Sequence, residues 1–213
     1  MLRKGFFWGL RRVLAGPVLF LPLLLIGCVT NGPPQAFLTH YQLASPRIDD
    51  FQVCARFGCD DVVGISYQQT DWQHINALFE PPSLGPKQER ERIANAVALM
   101  ESLTGQQVNT ANDQARNDGW LAGSPQLDCV AESANTTVSL LLLQQLGVLK
   151  YHRILYPSHR GLMSLQSPHN AATIEELGSS KSYVVDSWFY ANGEAPVIVS
   201  TESWKAGFDP DHD

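Results

Sequence analysis

The chain has 213 residues, 44% of them hydrophobic and 17% charged, which is room for one ordinary domain with its own core and too little for several. That composition excludes a disordered chain and one with many membrane spans. Its 15 basic and 21 acidic residues give a net charge of −6, so the chain lacks the basic footprint of a nucleic-acid binder.

The first residues, MLRKGFFWGLRR, hold four cations and no acid, and VLAGPVLFLPLLLIG follows. A basic segment and then an apolar one read as a secretion signal over residues 1–27. Val13 to Ile26 is short of the roughly 20 residues that a span needs, and Pro17 and Pro22 interrupt it. The run ends in Leu25-Ile26-Gly27-Cys28, which resembles a bacterial lipobox. The resemblance implies cleavage before Cys28 and lipid, such as palmitate, on that thiol. Residues 28–45, with their NGPPQ stretch, would then be a tether to the membrane. Val29 follows the cysteine where an acid would resemble a retention signal for the inner membrane, so the expected place is the periplasmic face of the outer membrane. Loss of the signal takes four basic residues and no acidic one, leaving a net charge of −10. Such a domain is held at an anionic surface by lipid and not by charge.

Residues 46–110 are expected to supply a hairpin and helices. Cys54 and Cys59 frame CARFGC between FQV and VVGISY, the pattern of a hairpin closed by a disulfide in an oxidising compartment. Two thiols with no adjacent Cys or His fall short of a zinc set. TDWQHINALFE opens a helix, with Thr70 and Gln73 at capping-box spacing and Trp72, Ile75, Leu78 and Phe79 as its stripe. GPKQERERIANAVALMESLTG is a second helix, with Pro86 in the first turn, Ile93, Val97, Met100 and Leu103 on one face, and Gly105 as its stop.

Residues 111–208 are expected to form the functional core, and 209–213 an acidic, solvated tail. A long polar loop fills 105–127. Asp128 then reads as the N-cap of a central buried helix that runs from Cys129 to Gly147. VLKYHRILY, the loop PSHRG, HNAATIEE, the turn GSSK and SYVVDSWFY follow, so the local order of strands predicts an antiparallel sheet packed on that helix, an α+β fold.

Cys129 is left unpaired if Cys28, Cys54 and Cys59 are used as above, and it stands at a helix start. Positive charge there favours thiolate over a buried inert thiol. His169 opens one strand and Asp186 ends the next, so imidazole and carboxylate can meet across the hairpin, as a Cys-His-Asp triad requires. His152, His159 and a metal site on Cys129 are weaker alternatives, and no cofactor or metal motif is present in the sequence. Gln126 is a candidate side-chain donor to an oxyanion. Glu132 and Asn135 lie one and two turns along the helix, able to line a cleft or to satisfy buried neighbours, and Trp188, Phe189 and Tyr190 could wall a groove, although aromatic core is the commoner use of such residues.

The order Cys at a helix start, His on one strand and Asp on the next, with LLLQQLGVLKYHRI after the Cys, resembles the transglutaminase-like branch of the papain fold over about residues 124–190. The resemblance implies a lipid-anchored cysteine peptidase or amidase that cuts a peptide or other envelope amide through a thioester, with Cys129 as nucleophile, His169 as base and Asp186 as orienter. Asn170 and Ser187 stand where the family commonly has Ala and Pro, which leaves a second reading: a catalytically silent lipoprotein that uses the fold as a binding or envelope-assembly module.

Overall fold

The computed structural model describes residues 32–117, 125–161 and 167–212. The segment read as a secretion signal and Cys28 lie outside them. Among the described residues no helix is long and apolar enough to cross a membrane.

The elements run α1 (Pro34–His40), β1 (Phe51–Cys54), a 3-10 turn (Phe57–Cys59), β2 (Val62–Ile65), α2 (Gln69–Ala77), α3 (Pro86–Val108), α4 (Cys129–Gln145), β3 (His152–Arg160), β4 (His169–Glu176), β5 (Ser182–Asp186), β6 (Val197–Ser200) and α5 (Thr201–Lys205). The strands form two antiparallel sheets, the hairpin β1-β2 and the meander β3-β4-β5-β6. The α+β class expected from the sequence is therefore present.

Helix α4 is buried on every side from Ala131 to Leu143, so its polar residues must find partners within the protein. They do. Thr137 Oγ1 donates to the Ser133 carbonyl at 2.6 Å, and the Thr136 and Ser187 hydroxyls meet at 3.1 Å. Asn135 acts as a surrogate strand: its Oδ1 accepts from the Cys54 N–H at 2.7 Å and its Nδ2 donates to the Cys54 carbonyl at 2.9 Å. It thereby pins the β1-β2 hairpin, closed by the Cys54–Cys59 disulfide, to the central helix.

Several boundaries differ from expectation. Residues 34–40 are not tether but helix, with Pro34 in the first turn, where its missing N–H costs nothing. Phe37, Leu38 and Leu43 enter the core, so the domain begins within the segment assigned to the tether. Helix α2 starts at Gln69, and it is Asp71 whose carboxylate accepts the Gln68 N–H at 2.8 Å, in place of the Thr70–Gln73 pair. Trp72, Ile75 and Phe79 are buried as the stripe requires.

Helix α3 passes through Gly105 and ends at Val108, with Asn109 taking the left-handed cap. Gly105 serves close packing instead: a Cβ there would lie 2.8 Å from Asn192 Oδ1 and 2.9 Å from Ala111 Cα. PSHR is part of β3, with a register shift between Leu155 and Ser158 that absorbs Pro157. Nor is the acidic end merely solvated. Arg116 holds Asp209 at 2.6 Å and Asp211 at 2.8 Å.

Candidate functional site

Asp128 caps α4 as expected, its Oδ1 accepting from Ala131 N–H at 3.0 Å. The same oxygen accepts from Gly58 N–H at 2.9 Å, so the disulfide hairpin helps to hold the start of the helix. Cys129 follows as the first helical residue, half-buried. That position is at the positive end of the α4 dipole, where a thiolate is favoured over a thiol.

On the sheet, β3 and β4 pair so that Arg160 lies opposite His169, and β4 and β5 pair with Ala172 opposite Val185. Continuing that register sets His169 across from Trp188 and diagonal to Asp186, a separation that large side chains bridge. They do so here. His169 Nε2 lies 2.7 Å from Asp186 Oδ2, and both side chains are buried. The same carboxylate oxygen accepts the Trp204 indole N–H at 2.7 Å. A carboxylate can only accept, so Nε2 carries the proton and Nδ1 keeps the lone pair in the neutral ring. The imidazole is packed among Trp188, Trp204 and Phe189, at centroid distances of 4.7, 5.4 and 5.7 Å.

Cys129 and His169 line one cleft of about 260 Å³, together with Arg116, Arg160, Trp188, Phe189 and Phe208. Gly161 brings the two ends of the β3-β4 connection together. Its φ is +119°, and a Cβ would sit 2.5 Å from the Ser167 carbonyl oxygen, so glycine alone fits beneath the segment that delivers His169.

The rival histidines are elsewhere. His152 pairs with Glu176 at the far end of the β3-β4 ladder, roughly 20 Å along the strand from His169, and its Nδ1 meets Glu89 at 2.8 Å. His159 is exposed, with Nδ1 at 3.1 Å from Asn170 Oδ1. Gln126 is bound into the loop before the helix: its Oε1 accepts from Gln114 N–H and Asn117 Nδ2, and its Nε2 donates to the Asn112 carbonyl. It is not among the described residues of the cleft. Trp188 and Phe189 wall the cleft, and Tyr190 is not among its described lining residues. Among the described residues, no set of three or more His, Cys, Asp or Glu side chains is grouped to hold a metal ion.

Arg116, Arg160 and Trp204 were not found from the sequence. They reach the site from a loop, from a strand end and from a five-residue helix, none at a spacing that ties it to Cys129.

A group of acids gathers around Glu132 of α4. Burial pushes the Glu101 carboxyl up to about 7, against the Ser187 hydroxyl and Gly193 N–H that bind it. Although the residue as a whole is only half-buried, its Oε1 is sealed from solvent. Burial also raises Glu132 well above the usual carboxylate range, aided by the charges of Glu101 and Asp113. Asp113 is raised by burial too, and its Oδ1 accepts the Leu127 N–H at 2.8 Å. Glu132 is not among the described residues of the cleft; its hydrogen bond to Asp113 ties α4 to the loop that leads into Cys129.

A pH dependence follows. A carboxyl that binds its proton more tightly folded than unfolded stabilises the fold below the unfolded value of about 4.3, and that contribution is lost as the pH rises through about 7. Chemical denaturation between about pH 4.5 and pH 8 should show a loss on the order of 3 kcal/mol from Glu101. Glu101→Gln should flatten that slope. An unchanged slope in the variant would show that Glu101 titrates normally.

No family model, curated protein or solved structure matches this chain.

Proposed function

We propose that the chain is a cysteine hydrolase or acyltransferase of the transglutaminase-like, papain-fold kind, held in the bacterial cell envelope by lipid on Cys28, and acting on a peptide or other amide. The observation that supports this most is the common cleft of Cys129, at the first position of α4, and His169, whose Nε2 is held by buried Asp186.

In this mechanism, His169 Nδ1 takes the thiol proton and Asp186 stabilises the imidazolium that forms. The Cys129 Sγ attacks the amide carbonyl carbon, and the carbonyl π electrons move to oxygen. The dipole at the start of α4 favours the oxyanion that results. As the carbonyl re-forms, the C–N bond breaks, His169 gives its proton to the departing amine, and a thioester remains on Cys129. Water, or an amine in the transferase variant, then attacks the thioester, with His169 again as base, and the thiol is released.

The test is the pH dependence of iodoacetamide alkylation of Cys129, followed by mass spectrometry on the domain without its signal segment, in wild type and His169→Ala. Fast alkylation at pH 6, reduced about 100-fold in the variant, supports the reading. A thiol that stays inert until alkaline pH would overturn it and leave the silent binding module as the use of this fold.

A further inference from the structure

The cleft beside Cys129 is unusual in its charge. The domain that follows Cys28 carries a net −10, yet two guanidinium groups, Arg116 and Arg160, line this one cavity, and Asp209 is its one acid among the described lining residues. Asp209 is already engaged: both its oxygens accept from Arg116, at 2.6 and 3.0 Å, and Arg116 also holds Asp211.

Arg160 is placed differently. Its Nη1 donates to the carbonyls of Trp204 and Phe208, and its guanidinium stacks 4.5 Å from the Trp204 ring centroid and 6.0 Å from that of Phe189. Among the described residues no carboxylate forms an ion pair with it. Asp186 and Asp209 act on it only through space, and burial opposes its charge. A half-buried cation whose direct partners are two carbonyls and two ring faces has its positive potential only partly offset at close range. In a site walled by Trp188, Phe189 and Phe208, that potential is screened little by solvent. A guanidinium fork also matches the geometry of a carboxylate, forming paired charge-assisted hydrogen bonds.

Resting on the cysteine chemistry proposed above, we propose that Arg160 selects the substrate: the acyl donor is a peptide that carries a carboxylate close to the scissile amide, and Arg160 binds that carboxylate. Long-range repulsion from the acidic domain works against such ligands, so selectivity comes from the contact in the cleft. Arg116, held by Asp209 and Asp211, keeps Phe189 in place, with its guanidinium 4.9 Å from that ring centroid.

Two alkylating reagents of nearly equal size test the idea on the same thiol. Iodoacetate carries the carboxylate and iodoacetamide does not, so the ratio of their rates at Cys129 reports anion selection, and any change in the thiolate itself cancels. At pH 6 and low salt, the ratio for wild type should exceed that for Arg160→Gln by about tenfold, the size of one charge-assisted contact of about 1.4 kcal/mol. Arg160→Lys should retain part of it. Because Arg160 also ties down the Trp204 and Phe208 carbonyls, competition by acetate at fixed ionic strength provides a measurement free of mutation. Acetate exchanged for chloride should lower the ratio of the iodoacetate rate to the iodoacetamide rate in wild type.

A ratio equal in wild type and Arg160→Gln, or a wild-type ratio that acetate does not move, would overturn the selection of an anion while fast iodoacetamide alkylation left the cysteine chemistry standing. Slow reaction with both reagents would remove the chemistry, and the substrate class with it.

Discussion

Asp186→Asn is expected to slow the alkylation of Cys129 at pH 6 by about 100-fold or more, the range for the loss of a positioned acid–base partner. The substitution keeps the shape, and an amide oxygen can still accept from His169 Nε2 and from the Trp204 indole, the two donors that now meet Asp186 Oδ2 at 2.7 Å. What it removes is the negative charge that stabilises the imidazolium formed when His169 takes the thiol proton. Without that charge the proton transfer is less favourable, and less thiolate is available at pH 6. The rate of the variant should therefore converge with that of wild type at high pH, where thiolate forms without help. A rate depressed equally at every pH would mean that the substitution had disordered the cleft, and no change at pH 6 would separate Asp186 from the chemistry.

The pairing of His169 with Asp186 was legible because it is a matter of local register. The 16 residues between them contain one tight turn, and period-two side chains on both strands leave little freedom. Asp128 was legible as a cap for a similar reason, since the polar-to-apolar change at Cys129 is a local signal. Glu132 and Asn135 were visible only as polar residues on a buried helix. Their partners, Asp113 and the Cys54 backbone, arrive from segments whose placement depends on the whole fold. Helix α1 was read as tether because Pro33 and Pro34 occur in linkers as readily as at helix starts. Phe37 and Leu38, whose burial distinguishes the two, need β3 beside them, with the Phe37 and Tyr156 ring centroids 5.6 Å apart. Arg160 illustrates the same limit. The strand that carries it could be read, but the carbonyls and rings that isolate its charge come from α5 and the turn beyond.

Glu89→Ala is expected to destabilise the fold on the order of 4 kcal/mol, the largest single cost outside the core apolar residues. Glu89 is fully buried on α3. Its two oxygens accept from Lys150 N–H at 2.6 Å, Tyr151 N–H at 2.9 Å and His152 Nδ1 at 2.8 Å. The carboxylate thus gathers three successive residues at the entry to β3, where the chain leaves α4 for the sheet. Truncation leaves those donors without a partner, at about 1–3 kcal/mol each, partly relieved by water entering the space. Burial opposes the charge of Glu89, but the hydrogen bonds from His152 and the two backbone N–H groups outweigh it and hold the carboxyl below its ordinary value. The linkage therefore has the opposite sign to that of Glu101. The Glu89 contribution is complete above the unfolded carboxylate range of about 4.3 and is lost as the pH falls through the lower folded value. Glu89→Gln, which keeps an acceptor but not the charge, should lose stability near neutral pH and less of it in acid. Equilibrium urea unfolding of wild type and both variants, at neutral pH and at about pH 3, separates the terms. A cost under 1 kcal/mol for Glu89→Ala would mean that the entry to β3 holds without this carboxylate.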